Sequence, residues 1–520
     1  MELIKKQMYA NRMGKKITDQ FMVDDDYNVP DTKSDLAKVI MGEGNVSIDE
    51  IKRVENYLHI SGQLNFQILY VTDEEESRLA SLDGKMPFEE MVYTEEDEEK
   101  TFFITNAHVE FTAVMVHSRK LSIKAMIELE VGSDQLVSED TTVDLECDTP
   151  VYKRQKDMQL LQMHTSKKDT YRIKEEVIIP GTKENIGNVL WTDVANRKLD
   201  TKLGDGALNI EGELQLFCFY ESQEGKPDWV EQVVPYEGRI ECSGADESMY
   251  HHVKSNLNDV NADVRMDEDG ELRVLGVEGT LDLRLAVYRE EDVELLEDVY
   301  SLDQNCKIET KDAEYEELLM QNHSKCKIAE QLSLPEIKDD ILQICHSGGS
   351  LQIENREITD EGILLEGILH ISFLYVKGND QMPFDTWQGM VPFSYVIESN
   401  QVHPDMNYDI NSALEQLSVT LMGSDEVEVK AVLAFHSFLR KPVEAKVITD
   451  VEFEPMEMSE LEKRPGVVGY IVKAGDDLWT LAKRYNTTVD SIREVNEMEE
   501  QRDIIPGDKI LIFKENMSIL

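Results

Sequence analysis

The chain has 520 residues, 53 of them Lys or Arg and 105 Asp or Glu, for a formal net charge of −52. Nucleic acid and anionic membrane surfaces carry the same sign and are excluded as partners by repulsion; the acidity itself reads as solubility or as attraction to a basic partner. With 41% hydrophobic residues there is material for packed cores, and the length points to three or four domains of roughly 100–150 residues.

The opening stretch, MELIKKQMYANRMGKKITDQF, has lysines but no apolar run of signal-peptide length. No segment reaches the roughly 20 apolar residues that span a bilayer, so no transmembrane segment is expected. Six cysteines, at 147, 218, 242, 306, 326 and 345, include no CxxC pair. They suggest neither a disulfide framework nor a zinc site, and the expected compartment is a reducing cytoplasm.

Three stretches repeat one pattern: ISGQLNFQILYV from Ile60, IEGELQLFCFYE from Ile210 and LEGILHISFLYV from Leu365. Counted from the glycine, the residues on one face are Leu64, Phe66, Ile68 and Tyr70, then Leu214, Leu216, Cys218 and Tyr220, then Leu369, Ile371, Phe373 and Tyr375. This period of two predicts a strand with one face in a core. The opposite face carries Gln63, Asn65 and Gln67 in the first copy but Phe217 and Phe219 in the second, so copy two is expected to bury both faces. Pro30, Pro180 and Pro335 each stand 32 residues before Gly62, Gly212 and Gly367. The prolines read as edge or turn positions, and the glycines as bulges or close backbone approaches.

After each strand comes a second proline beside apolar or aromatic residues (KMPFEEMVY, VVPYEGRIE, MVPFSYVIE), then an alternating closing segment such as KLSIKAMIELEVG, LDLRLAVYRE or VEVKAVLAFHSF. Many short strands predict a mainly β chain of three tandem β-sandwich-like modules. The polar stretches DMQLLQMHTSKKDTYRIKEE (157–176) and DAEYEELLMQNHSKCKIAEQ (312–331) are expected as short connecting helices.

The three copies, over about residues 15–150, 165–305 and 320–448, resemble SPOCS domains of endospore-forming bacteria, on the proline-to-glycine interval and the G-x-L-x-hydrophobic-x-x-x-Tyr strand. The resemblance implies a part in building spore coat or cortex.

A linker is expected over 449–466, and a small module over 467–515. Gly469–Lys473 alternates as a strand, Asp476 or Asp477 can cap a helix carrying Leu478, Leu481, Ala482 and Tyr485, and Thr487-Thr488 opens a second helix. Asn496 suits its end, Pro506-Gly507-Asp508 is a turn, and Lys509–Phe513 a closing strand. Tyr470, Val472, Gly475, Asp476, Leu478, Trp479, Ala482, Tyr485, Val489, Ile492, Asn496, Ile505, Pro506, Gly507, Ile510 and Ile512 stand at the spacing of a βααβ LysM domain, which this segment resembles. The resemblance implies a groove for N-acetylglucosamine-containing glycan or a partner, with Gly475, Asp476, Asp477, Leu478 and Trp479 facing Ile504, Ile505, Pro506 and Gly507. Trp479 either packs or stacks on the ligand. Glu497, Glu499, Glu500 and Asp503 put negative charge beside that groove, which suits a basic protein surface better than an anionic polymer.

No P-loop, HExxH, GxSxG or kinase-like run occurs. Cys345 and His346 are neighbours in a predicted strand and point to opposite faces; His251 and His252 lack a metal-binding separation. The chain is expected to be no enzyme and to need no cofactor or metal. Three SPOCS-like modules before one LysM domain is the arrangement of a group of clostridial spore-coat morphogenetic proteins. That resemblance implies an adaptor in the mother-cell cytoplasm, at the forespore surface. It would tether the coat basement layer by binding the coat-assembling ATPase SpoIVA through the LysM domain, and possible further partners are other coat proteins. The alternative is a glycan-binding protein anchored to cortex peptidoglycan.

Overall fold

A computed structural model describes residues 1–73, 78–96, 99–338, 340–378, 383–456, 465–499 and 502–515. In the first module, β3 (Leu36–Val54), β4 (Tyr57–Thr72) and β5 (Leu79–Tyr93) form one antiparallel sheet around β4. A second sheet is built on the long β7 (Lys120–Glu146). β2 (Ile17–Asn28) and β6 (Thr101–His117) flank its first half, and β1 (Glu2–Met13) pairs with its second. The alternating side chains of β4 and β7, from Leu58 to Tyr70 and from Leu121 to Val131, meet between the sheets as the core.

The second module repeats this with β8 (Tyr152–Ile178), β9 (Ile186–Gly204), β10 (Ala207–Ser222), β11 (Pro227–Glu241), β12 (Tyr250–Met266) and β13 (Leu272–Tyr300). The third uses β14 (Gln304–Ser333), β15 (Ile341–Thr359), β16 (Gly362–Lys377), β17 (Phe384–Glu398), β18 (Asn407–Leu421) and β19 (Glu426–Pro455). Sheets β11-β10-β9 and β12-β13-β8 enclose one core, β15-β16-β17 and β14-β19-β18 the other. All twelve same-face residues of the repeated strand are buried in these three cores.

The signature residues bond to one another. Gly62, Gly212 and Gly367 lie directly across the ladder from Phe88, Tyr236 and Phe393, the aromatics after the second proline. A Cβ at each glycine would run into that ring, so the bare glycine is the seat for an aromatic. The bulge sits in the facing strand, at the register shifts after Ile48 and Ile353. The first prolines open turns, with the Lys33 and Lys183 N–H groups donating to the Pro30 and Pro180 carbonyls at 2.9 Å. The closing tyrosines reach the same loops: Tyr70 and Tyr220 donate to the Ser34 and Glu184 carbonyls at 3.2 and 3.3 Å. Arg119 and Arg273 clamp these turns through the Pro30 and Pro180 carbonyls at 2.9 and 2.8 Å; no feature of the repeat had pointed to them.

The stretches 157–176 and 312–331 are not helices but parts of β8 and β14. Their apolar residues fail to alternate cleanly because the register slips there. Thr165 pairs with Val287 and Met163 with Tyr288, leaving His164 extra, and Leu319 is skipped between Leu318 and Met320. One extra residue swaps the inward face, and the doubled apolar positions imitate a helical period. Of the segment 449–466, residues up to Pro455 belong to β19, while 457–464 lie outside the described residues.

These slips mark where each module sends out a two-stranded arm: β1 with the end of β7, and the matching halves of β8 with β13 and β14 with β19. A lone two-stranded ribbon is marginal in water. The three arms therefore share a core of Met8, Met158, Leu160, Val293, Leu295, Ala313, Tyr315 and Val447. At the other end, Leu69, Phe219 and Leu374, each seven residues past the repeated glycine, join Trp191, Phe217 and Phe384 in a core common to all three modules. Phe217 and Phe219 are both 0% exposed, so copy two does bury both strand faces.

Each module touches the other two. Module one meets three through Lys38–Asp385 (3.3 Å) and Arg356–Glu130 (2.9 Å), and two through Arg284–Asp134. Modules two and three meet through Lys254–Asp409 (3.2 Å) and His346–Asp193 (2.9 Å). A cavity of about 2160 Å³ remains at the centre, lined by all three.

His346 stacks on Phe217 at 3.9 Å, with Nδ1 3.7 Å from Glu231. Burial alone would lower its pKa, but the hydrogen bond to Asp193 and the two carboxylates outweigh this and raise it to about 9. A raised histidine contributes its full stability below its unfolded value, near 6.5, and loses it as pH rises through about 9. Glu43, pushed up from 4.5 to about 7 by burial and by Asp193, loses stability mainly below pH 7, ahead of this window; Arg197 completes the set of facing charges. The melting temperature is therefore expected to fall from pH 7 to pH 10 in the wild type, and less steeply in His346→Gln. Parallel pH–melting curves for the two proteins would contradict this.

Candidate functional site

The C-terminal module pairs β20 (Val467–Ile471) with β21 (Lys509–Phe513), and between them run α1 (Leu478–Tyr485) and α2 (Val489–Val495). Asp477 caps α1, its Oδ1 accepting from the Thr480 N–H at 2.6 Å, and Thr488 caps α2 from the Ser491 N–H at 3.0 Å. Asp476 closes the preceding turn instead, accepting from the Lys473 N–H and the Tyr470 hydroxyl, both at 2.8 Å. Those bonds hold its carboxyl below the usual range. Asn496 does more than end α2. Its side chain donates to the Ile492 and Leu511 carbonyls and accepts from the Leu511 N–H, all at 2.7 Å, which ties the helix to β21.

The predicted groove loops come together. The Gly507 N–H donates to the Val472 carbonyl at 2.8 Å, and the Val472 N–H to the Asp508 carbonyl at 2.9 Å. Gly475 and Gly507 have φ of +87° and +99°, conformations that L side chains resist. Gly475, Asp477, Pro506 and Gly507 are exposed, as is Ile505 at 61%. Leu478 is a core residue, and half-buried Ile504 packs against the same core. Glu497, Glu499 and Asp503 are exposed beside the second loop; Glu500 lies outside the described residues.

A family profile described as SipL, SPOCS domain matches residues 35–117, 185–265 and 340–422, and a LysM domain profile matches 470–513. The chain has the SipL-like architecture. No curated protein and no solved structure matches it. These domains make it a sporulation coat-associated protein with a LysM module of the peptidoglycan- or glycan-binding class, and both are binding-type, non-catalytic domains. The three SPOCS matches span β3 to β6 and their counterparts; the arms and the closing strands β7, β13 and β19 lie outside them. No helix among the described residues is long and apolar enough to cross a membrane.

The LysM domain does not hang free. Trp479 donates its indole N–H to Asp298 at 2.8 Å and sits edge-on to Tyr300, with ring centroids 4.8 Å apart. Lys483 also reaches Asp298, at 2.6 Å. Tyr300 donates to the Thr487 carbonyl at 2.9 Å, and Asn486 to the Leu302 carbonyl at 3.2 Å. Arg154 lies 3.4 Å from Asp477 and 5.9 Å from the Trp479 ring. The second SPOCS arm thus holds one flank of the LysM domain, with Trp479 half-buried against it. Asp298, Tyr300 and Arg154 had no local sequence signal, because they serve the LysM domain from more than 170 residues away.

Proposed function

We propose that this protein is a non-enzymatic adaptor of spore-coat assembly. It works in the mother cell at the forespore surface and uses its LysM domain to bind a coat-assembling protein, the ATPase SpoIVA. The observation that carries this reading is the docked Trp479. Sugar stacking needs a free aromatic face, and this half-buried ring is anchored through its N–H to Asp298, packed at an angle against Tyr300 and overlain by the Arg154 guanidinium at 5.9 Å. What stays open is exposed Ile505 with Glu497, Glu499 and Asp503 around it. An apolar point in an acidic collar suits a protein partner with a basic rim.

The open backbone of Gly475, Pro506 and Gly507 favours a second reading, recognition of N-acetylglucosamine-containing glycan. Co-purification with SpoIVA from sporulating cells separates the two. Ile505→Asp and the pair Glu499→Lys with Asp503→Lys, in the full chain, are expected to reduce co-purification about 10-fold or more. Removal of residues from Gly469 onward should abolish it. Intact co-purification after that truncation, together with saturable, salt-insensitive pelleting on purified cortex sacculi, would overturn the adaptor reading in favour of glycan.

A further inference from the structure

The groups around Phe103 in the central cavity run against the charge of the chain. Lys254 and Arg284 stand directly opposite each other on β12 and β13, and both lie over the Phe103 ring, at 5.2 and 3.7 Å from its centroid. Like charges placed opposite each other in a ladder destabilise it. Their carboxylate partners, Asp409 and Asp134, come from the other two modules. Lys16 and Arg356 converge on Glu130 at 2.7 and 2.9 Å. Arg440 bonds Asp409 and Glu316 at 2.8 and 3.0 Å. Of these groups, four cations (Lys16, Lys254, Arg284 and Arg356) and one carboxylate (Glu130) line the cavity, to which acids such as Glu110 and Asp282 also contribute.

Hydrogen-bonding capacity is left over in the same place. Arg284 Nη1 and His252 Nε2 are buried without a hydrogen-bond partner among the described residues, and His252 shares its strand face with Lys254. Burial lowers the Lys16 pKa, and the nearby Arg356 and Lys254 act in the same direction, against the raising effect of its ion pair with Glu130.

We propose that the cavity binds a small multivalent oxyanion, a phosphate or a polycarboxylate, between Lys16, Lys254 and Arg284. Such an anion relieves the cross-strand repulsion and gives the spare Arg284 and His252 donors an acceptor after small side-chain shifts. It also bridges modules one and two at their contact with module three, so ligand binding and ring closure support each other. The acidic exterior slows entry only at short range, since charges are screened over about 8 Å at physiological salt.

Titration calorimetry of the full chain with inorganic pyrophosphate, and separately with citrate, tests this at an ionic strength held constant with sodium chloride. Saturable binding of either probe is expected, and the stronger of the two identifies the ligand source. Lys254→Gln and Arg284→Gln should each weaken it at least 10-fold, while Lys226→Gln, on an exposed turn far from the cavity, leaves it unchanged. Should circular dichroism show that either cavity variant fails to fold, Lys16→Gln, whose charged form burial already disfavours, carries the same expectation. No saturable binding by either probe, or undiminished binding in the folded cavity variants, overturns the proposal.

Discussion

Phe219→Ala is expected to cost about 3–5 kcal/mol of unfolding free energy, measured by chemical denaturation. The ring is 0% exposed and meets Phe384 of the third module edge-on, with centroids 4.9 Å apart. Its truncation empties the core where the three modules join, and no solvent-facing rearrangement can fill that space. Because the lost contacts lie between modules, the single transition should broaden or split as modules begin to unfold separately. Met422→Ala, at a side chain 55% exposed, is the comparison and should stay within about 0.5 kcal/mol of the wild type. A loss below about 1 kcal/mol for Phe219→Ala would mean that the modules do not depend on this core.

Gly367→Ala is the second large effect. The added methyl would overlap the Gln352 backbone carbonyl as well as the Phe393 ring, and backbone in the middle of a sheet cannot step aside. A loss of about 3 kcal/mol, at the upper end for overpacking, is expected in the same denaturation assay. At Gly212 the nearest obstruction is the Tyr236 side chain, which can swing out at the cost of its 2.9 Å hydrogen bond to Asn196. Gly212→Ala should therefore cost less than Gly367→Ala. Gly469→Ala, with nothing within 4 Å, should change stability by no more than about 0.5 kcal/mol. Equal losses at all three positions would rule out the seat for an aromatic ring as the reason for the repeated glycine.

Legibility in the sequence followed the range of the interaction. Leu64 to Tyr70 and their counterparts showed their inward face because alternation along one strand is a local property. The LysM caps were nearly as plain, since Asp477 and Thr488 act on N–H groups three residues away. The arms were misread for an equally physical reason. The extra residues His164 and Leu319 shift the register and break alternation where the strand leaves its module. The spacing marked the glycines and the second prolines without saying why they recur. The answer is a cross-strand pairing, Gly62 with Phe88, that needs the register of β4 on β5.

The candidate site divides the same way. Gly475, Asp476, Gly507 and the loops they shape were readable, because positive φ and short turns leave local marks. Whether Trp479 packs or stays free was not readable, since Asp298 and Tyr300 arrive from the end of the second SPOCS arm. By itself the sequence determined three copies of a β module, the βααβ domain and the acidic character, all carried by periodicity, spacing and composition. Only the tertiary structure decided that the copies close around a cavity, that their arms share a core, and that the LysM domain is docked with its tryptophan engaged. Those outcomes rest on contacts between residues far apart in the chain, from 150 positions for Arg284 with Asp134 to 347 for Lys38 with Asp385, and no local pattern encodes them.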